Sequence, residues 1–305
     1  MIKVKRKVIL HGPSTLTVSL PSKWVKNNNV KKGDELNIND EGNTLTIYPG
    51  EEHLLTKKRK VDFTNLDPQS KRIIITVLHK SGYDEVEIKF KDPDTVKIIQ
   101  ERINSRLIGY EITEQRDDVC IVKNVSGDHI SELDILIRRA FLVTLSLANN
   151  SLEEVKKVRM NKLNELLVLE KTNNKIVNYC QRLLNKTPYK DEKTIYKYVI
   201  IGFIERISDD YRDLIKVILS KPKLKISLDV LNVYKDINKL IMDYYDLFYK
   251  YSKEDFMIIQ GTISSLKKRL EKTKFNVSEV TLRPFFLTLI NRVYDSLGST
   301  VGLHH

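Results

Sequence analysis

The chain has 305 residues, of which 41% are hydrophobic, and this favours about two folded domains over a disordered chain. The formal net charge of +12 favours a polyanionic partner such as nucleic acid. No stretch approaches the ~20 apolar residues of a membrane span, the basic N-terminus lacks a signal-peptide core, and Cys120 and Cys180 form no CxxC pair, so we expect a cytoplasmic protein without disulfides or membrane insertion.

The first fifty residues predict a small, strand-rich unit. Short stretches in which polar and aliphatic side chains alternate are separated by residues typical of turns. In chain order we expect a strand over 2–8, a turn over 11–14, a strand over 15–20, a helix over 23–27 capped by Ser22, and a hairpin with strands over 35–38 and 44–48. A unit of this size buries little surface alone. We therefore expect it to need a partner chain.

The sequence pattern changes after the first fifty residues. Residues 51–60, which end in the basic run at 57–60, are predicted to form a linker. Strand and helix patterns then alternate, which is typical of a small α/β module, and we expect it to be ferredoxin-like. The predicted elements are strands near 61–63, 84–90, 110–115 and 119–123 and helices over 67–80 and 92–108.

The remaining sequence predicts helices throughout. Asn149, Asn150 and Ser151 are expected to interrupt the helical pattern. The predicted helices span residues 131–148, 152–185, 192–220, 227–251, 253–273 and 278–302. Their spacing indicates two successive three-helix units, over 128–221 and 225–303. The predicted fold class is therefore α+β and multidomain, with domains at 1–50, 61–126 and 128–303.

Charge is distributed unevenly within the first domain. Between Met1 and Gly33 there are eight Lys or Arg residues and no Asp or Glu. Basic side chains that neutralise phosphates release counterions, so such a segment predicts salt-sensitive binding of double-stranded DNA. Hydroxyl groups can add hydrogen bonds to phosphates or base edges. The alternative is a lysine-rich surface that is merely solvated.

The same residues resemble a known family. The strand Leu16-Thr17-Val18-Ser19-Leu20-Pro21, followed about ten residues later by Lys32-Gly33-Asp34-Glu35-Leu36, is similar to the SpoVT-AbrB domain family. The resemblance implies a swapped-hairpin β-barrel, built by a homodimer, that binds DNA. Together, the charge pattern and the resemblance predict these DNA contacts: Lys3, Lys5, Arg6, Lys7, Ser14, Thr15, Thr17, Lys23 and Lys26. Leu20 and Trp24 are expected to lie in the core.

A set of carboxylates marks the helical region. Glu205, Asp209 and Asp213 are spaced four residues apart, opposite an apolar stripe that includes Ile207 and Tyr211. On the last helix Asp295 lies opposite a similar stripe. Oxygen ligands suit a hard divalent cation, so these four carboxylates predict a metal site. The alternative is a solvated charged surface in which arginine side chains separate the carboxylates.

A second resemblance extends over nearly the whole chain. The sequence Glu205-Arg206-Ile207-Ser208-Asp209 resembles the ExxxD motif of PhoU proteins, and the stretch from Asn291 to Asp295 is similar to a second copy. With the N-terminal domain, this resembles archaeal phosphate uptake regulators. It implies two three-helix repeats and a divalent metal at the motifs. Asn291 stands where the motif has Glu, which removes one charged ligand.

The sequence does not favour an enzyme. It contains no HExxH, GxGxxG or P-loop motif. The prediction is a DNA-binding transcription regulator of phosphate uptake or homeostasis genes, whose helical domain senses a signal or binds a partner. The alternative is a cytosolic adaptor of the phosphate transporter or its sensor, which uses the N-terminal domain only to dimerise. Apart from a divalent metal, no cofactor is predicted.

Overall fold

A computed structural model describes residues 4–40, 42–49, 56–187, 192–221 and 224–305. The chain is α+β and mostly helical. It divides into two compact units, Met1–Thr56 and Lys57–His305. Each unit is described by itself.

The N-terminal unit consists of two antiparallel hairpins and one short helix. Its elements are β1 (Val8–His11), β2 (Thr15–Val18), α1 (Ser22–Asn27), β3 (Leu36–Asp40) and β4 (Leu45–Pro49). Strand β1 pairs with β2, and β3 pairs with β4. Gly12 makes the first turn possible because its φ of 71° is a conformation that side chains with a Cβ rarely adopt.

Two details of this unit differ from the prediction. The predicted strand over 2–8 begins only at Val8: residues 4–7 have no regular structure, and residues 1–3 lie outside the described chain. Ser22 does not cap α1. Pro21 occupies the cap position in an extended conformation, and Ser22 is the first helical residue. Proline suits the beginning of a helix because its ring fixes φ and it has no N–H group that needs a partner.

The second unit begins with a four-stranded sheet and two helices. Its elements are β5 (Lys58–Asp62), α2 (Pro68–Lys80), β6 (Glu85–Lys89), α3 (Asp94–Arg106), β7 (Tyr110–Gln115) and β8 (Val119–Asn124). The strand order is β5-β6-β8-β7, with β5 parallel to β6 and the other pairs antiparallel. Asp67 caps α2 by accepting hydrogen bonds from two backbone N–H groups.

This sheet corrects two predictions. A ferredoxin-like module has the order βαββαβ, whereas this chain runs βαβαββ because β7 and β8 form a terminal hairpin. The basic run at 57–60 is not a linker. Lys58 and Lys60 belong to β5 and make ion pairs with Glu85 and Glu87 on β6, at 3.0 and 2.7 Å, which compensates their charge within the sheet.

Seven described α-helices follow in the second unit. They are α4 (Leu133–Lys156), α5 (Met160–Glu165), α6 (Leu167–Lys186), α7 (Glu192–Leu219), α8 (Leu228–Tyr249), α9 (Lys253–Lys272) and α10 (Arg283–His304). Their buried aliphatic and aromatic side chains form one continuous core. In the described part of the chain, no helix is long and apolar enough to cross a membrane.

The predicted break at Asn149, Asn150 and Ser151 is wrong, since α4 continues through it. Asn149 and Asn150 are exposed, and Ser151 is buried. Asn150 donates to Ser146, and the buried Ser151 hydroxyl lies 2.7 Å from that of Tyr234. The helix ends instead near Val158, whose φ of 53° is left-handed.

Helix α6 joins the α/β elements to the helical bundle. Arg182 on α6 is fully buried and donates to Asp84 and Asp128, and Asn178 donates to the carbonyl oxygen of Arg106. These contacts pack the sheet module and the helices into one unit. The finer division into domains at 61–126 and 128–303, with its two helical repeats, stays a prediction.

Candidate nucleic-acid interface and a charged groove

The first hairpin has one wholly aliphatic face. Val8 lies opposite Val18, and Leu10 lies opposite Leu16. Directly paired residues share a face, and successive residues alternate, so these four side chains lie on the same side. Each is between 51% and 68% exposed within a single chain. A continuous apolar surface of this kind is typical of an interface with a partner.

The opposite face of the same hairpin is mostly polar. It carries Ile9 paired with Thr17 and His11 paired with Thr15. The Thr17 hydroxyl donates to the carbonyl oxygen of Ile9 at 3.2 Å, and both threonines are exposed. The hairpin register thus separates the predicted DNA contacts Thr15 and Thr17 from the aliphatic face.

The remaining predicted DNA contacts lie around this hairpin. Lys5, Arg6 and Lys7 are exposed and lead directly into β1, and Ser14 is exposed in the turn. Lys23 and Lys26 are exposed on α1, while Leu20 and Trp24 are half-buried. Lys3 lies outside the described residues. The roles of these side chains stay predictions.

A groove of about 990 Å³ lies in the second unit, along α7. It contains all four carboxylates that the sequence predicts as metal ligands, because residues four apart on α7 face the same side and Asp295 projects from the neighbouring α10. The apolar side chains of Ile207 and Tyr211 are buried on the other side of α7. The lining residues that carry charge are Lys80, Glu205, Arg206, Asp209, Asp210, Arg212, Asp213, Arg292 and Asp295.

Arginines neutralise several of these carboxylates. Arg212 contacts Asp209 at 2.5 Å and Asp213 at 2.8 Å, and it also reaches the buried Glu170 at 3.1 Å. Hydrogen bonding to Asp213 raises the pKa of Arg212, so its charge is permanent. Arg292 pairs with Asp210, a half-buried carboxyl whose pKa is raised by burial. The charges of Arg212 and Arg292 therefore largely balance those of the carboxylates with which they pair.

The arrangement of possible metal ligands bears on the predicted cation site. Across the described ranges, no group of three or more His, Cys, Asp or Glu side chains is placed to share one ion. Glu205, Asp209, Asp213 and Asp295 remain the oxygen donors that could hold a cation, with arginines between them. The metal site stays a prediction.

Two groove residues were missed at the sequence level. Lys80, at the end of α2, comes within 4.0 Å of Glu205, and Gln181 on α6 reaches the same groove although it is only 4% exposed. Nothing in the sequence links Lys80 to Glu205, because their contact arises only from packing α2 against the helices. Gln181 carried a weak signal. It follows Asn174 and Asn178 at helical spacing, and all three amide side chains are buried in α6.

Comparison with known proteins is informative for the N-terminal unit. Residues 11–54 match the family model described as Antidote-toxin recognition MazE, bacterial antitoxin. The N-terminus carries an AbrB-like domain. The match covers the turn after β1 and everything from β2 to β4. No curated protein and no solved structure matches the chain.

Proposed function

We propose that this protein is a dimeric, DNA-binding transcription regulator and not an enzyme. The observation that carries the proposal is the two-sided hairpin: an exposed aliphatic face of Val8, Leu10, Leu16 and Val18, backed by a face with Thr15 and Thr17. The first face suits a second copy of the chain, and the other suits a phosphate backbone.

The charge of the surrounding residues supports the same function. The acid-free segment from Met1 to Gly33 places Lys5, Arg6 and Lys7 beside the hairpin and Lys23 and Lys26 on α1, all exposed. Exposed basic groups can pair with phosphates without first breaking internal ion pairs. Described residues of this segment make no salt bridge within 4.0 Å, so these charges are available.

In this proposal the second unit senses a signal or binds a partner. By resemblance to PhoU proteins, the regulated genes are those of phosphate uptake or homeostasis. The resemblance rests on Glu205 to Asp209 and on the weaker second motif ending at Asp295. Immunoprecipitation of the protein with bound DNA from phosphate-rich and phosphate-poor cells tests this. Occupancy that is unrelated to phosphate genes and unaffected by phosphate contradicts the phosphate role.

The DNA-binding role is tested by reversing two adjacent charges. An Arg6→Glu/Lys7→Glu variant should lose most of its affinity for promoter DNA, and the wild-type affinity should fall steeply with salt. Neutral variants should lower the salt slope by about one for each phosphate contact removed. Lys156→Glu/Lys157→Glu is the matched control, because it reverses two adjacent exposed charges at the end of α4.

The outcome separates two classes of function. If the Arg6/Lys7 variant stays dimeric and keeps its affinity for DNA, the adaptor function replaces DNA binding, and the N-terminal unit serves only to dimerise. If only that variant loses affinity while the Lys156/Lys157 control binds normally, the N-terminal unit is the DNA-binding surface.

A second candidate comes from the description of the matched family, which names an antitoxin that recognises a toxin. An antitoxin of this class would restrain a toxic partner, so deleting its gene should arrest growth. Normal growth of a deletion strain that still contains the neighbouring genes would argue against this function and leave the regulator proposal in place.

A further inference from the structure

At one end of the groove along α7, Lys80 lacks a close carboxylate partner. Lys80 is mostly buried, with a side chain 23% exposed. Among the residues that the structure describes, the nearest carboxylate oxygen to its Nζ is Oε2 of Glu205 at 4.0 Å, which is beyond hydrogen-bond distance. Nζ makes no hydrogen bond to a described residue. A buried ammonium normally has closer partners.

Two arginines contribute further positive charge. Arg206 lines the groove and has no ion pair within 4.0 Å in the described parts of the chain. Arg102 lies on α3, close enough for its charge to act on Lys80, and its Nε donates to the hydroxyl of Thr76 at 2.7 Å. No described carboxylate pairs with Arg102. Arg106, which pairs with Glu170 at 3.2 Å, also acts on Lys80, so the described charges that act on Lys80 are two arginines and the carboxylate of Glu205.

Gln181 provides the second observation. The residue is only 4% exposed, yet its Oε1 has no hydrogen-bond partner among the described residues. The amide lines the groove next to Gly202. An amide can rotate to present either its oxygen or its NH2 group. The NH2 group makes no hydrogen bond to a described residue either, so an acceptor bound in the groove can take one from it.

We propose that this end of the groove binds a small oxyanion, the phosphate or carboxylate group of a soluble metabolite, between Lys80 and Arg206, with the NH2 group of Gln181 as a further donor. Each of these groups donates hydrogen bonds, and none is saturated by the protein. The apolar side chains of Val199 and Phe203 line the same groove and can contact the rest of the metabolite.

The electrostatics of the empty protein agree with an anionic ligand. Burial lowers the pKa of Lys80, and repulsion from Arg102 and Arg106 adds to that shift. Burial also lowers the pKa of Arg102 to about 10, with added repulsion from Arg106 and Arg72. An anion placed among these cations relieves the repulsion and stabilises their charged forms. A cation would increase the repulsion at this end of the groove.

This inference names the chemistry of the signal and rests on the sensing role proposed for the second unit. It is tested on the full chain by isothermal titration calorimetry. The probes are sodium phosphate and sodium citrate, with chloride keeping the ionic strength constant. We expect saturable binding of one anion per chain. Binding of phosphate alone identifies a phosphate ligand, and binding of citrate alone identifies a carboxylate.

Three variants locate the site. Lys80→Met and Arg206→Gln should each weaken binding about tenfold or more, since each removes a charge-assisted hydrogen bond. Gln181→Leu should weaken it less. Lys162→Met is the control, because it removes an exposed lysine that pairs with Glu165 on α5. Arg206 is exposed, so its variant keeps the test valid even if Lys80→Met fails to fold.

The inference is overturned if neither anion binds saturably, or if Arg206→Gln and folded Lys80→Met bind as tightly as wild type. A parallel measurement of DNA affinity distinguishes this from failure of the proposed function. Anion binding that leaves DNA affinity unchanged supports the site and removes the sensing role. Absence of DNA binding with normal anion binding removes the regulator function alone.

Discussion

Arg182 binds the carboxylate of Asp128 through two parallel hydrogen bonds, from Nε to Oδ1 at 2.7 Å and from a terminal nitrogen to Oδ2 at 2.8 Å. The same guanidinium also donates to Asp84 at 2.5 Å and to the carbonyl oxygen of Tyr83 at 2.6 Å. Arg182 is fully buried, and Asp128 is 4% exposed. One side chain of α6 therefore connects the loop before β6 with the segment that precedes α4.

Removing this guanidinium should destabilise the second unit strongly. Arg182→Met leaves two mostly buried carboxylates that keep Lys186 as a described cationic partner, at 2.7 Å from Asp84 and 3.6 Å from Asp128. Losing one partner of a buried pair costs about 3–5 kcal/mol. We expect a loss of that size in the free energy of unfolding, measured by urea denaturation.

Arg182→Lys refines the same prediction. It keeps the charge but cannot form two parallel bonds to Asp128, so its loss should be intermediate. Lys162→Met, which breaks an exposed ion pair, should cost no more than about 1 kcal/mol. If Arg182→Met were no less stable than Lys162→Met, the network would not hold the sheet to the helices.

His79 makes stability depend on pH. It is fully buried, its Nε2 lies 2.9 Å from the carbonyl oxygen of Ile108, and burial lowers its pKa from 6.5 to about 3. The unfolded chain binds a proton below pH 6.5, whereas the folded protein does not until about pH 3. Folding stability should therefore be full above pH 6.5 and decline as pH falls toward 3.

The size of this effect follows from the linkage. Each pH unit below 6.5 costs about 1.4 kcal/mol, so wild type should lose about 2 kcal/mol between pH 6.5 and 5 through this residue. His79→Gln lacks the titrating group, and its free energy of unfolding should fall less over the same range. Parallel pH profiles for the two proteins would show that His79 is not responsible.

The aliphatic face of the first hairpin should form the dimer. Leu16→Lys places a charge on that face, whereas Thr17→Lys, one residue later, places it on the opposite face. We expect Leu16→Lys to be monomeric in sedimentation or light scattering and Thr17→Lys to stay dimeric, because only the former buries an unpaired charge. The reverse pattern would assign the interface to the other face.

The predicted metal site has a direct test. If Glu205, Asp209, Asp213 and Asp295 bind a divalent cation, Mg²⁺ or Mn²⁺ should raise the melting temperature of wild type, because a ligand that binds only the folded state stabilises it. Asp209→Ala should respond less. Equal melting temperatures with and without the ion, for both proteins, would remove the metal hypothesis.

Local patterns predicted much of the fold. Asp67 and Pro68 correctly marked the beginning of α2, and the alternation over residues 15–20 predicted β2, because capping and the alternation of side chains between two faces depend only on neighbours in sequence. The break expected at Asn149 to Ser151 failed because Tyr234, more than eighty residues later, satisfies Ser151 inside the bundle. A contact with a residue that is distant in sequence thus overrode the local tendency of Asn and Ser to end a helix.

For this protein, the sequence alone determined the basic, acid-free N-terminus and the carboxylates on one side of α7, because composition and helical spacing are properties of the chain itself. Only the tertiary structure decided which strands pair in the sheet, which hairpin face stays apolar, and that Lys80 and Gln181 meet Glu205 and Arg206 in one groove. The groove joins residues about 20 to 130 positions apart, and packing brings them together only when the whole core forms.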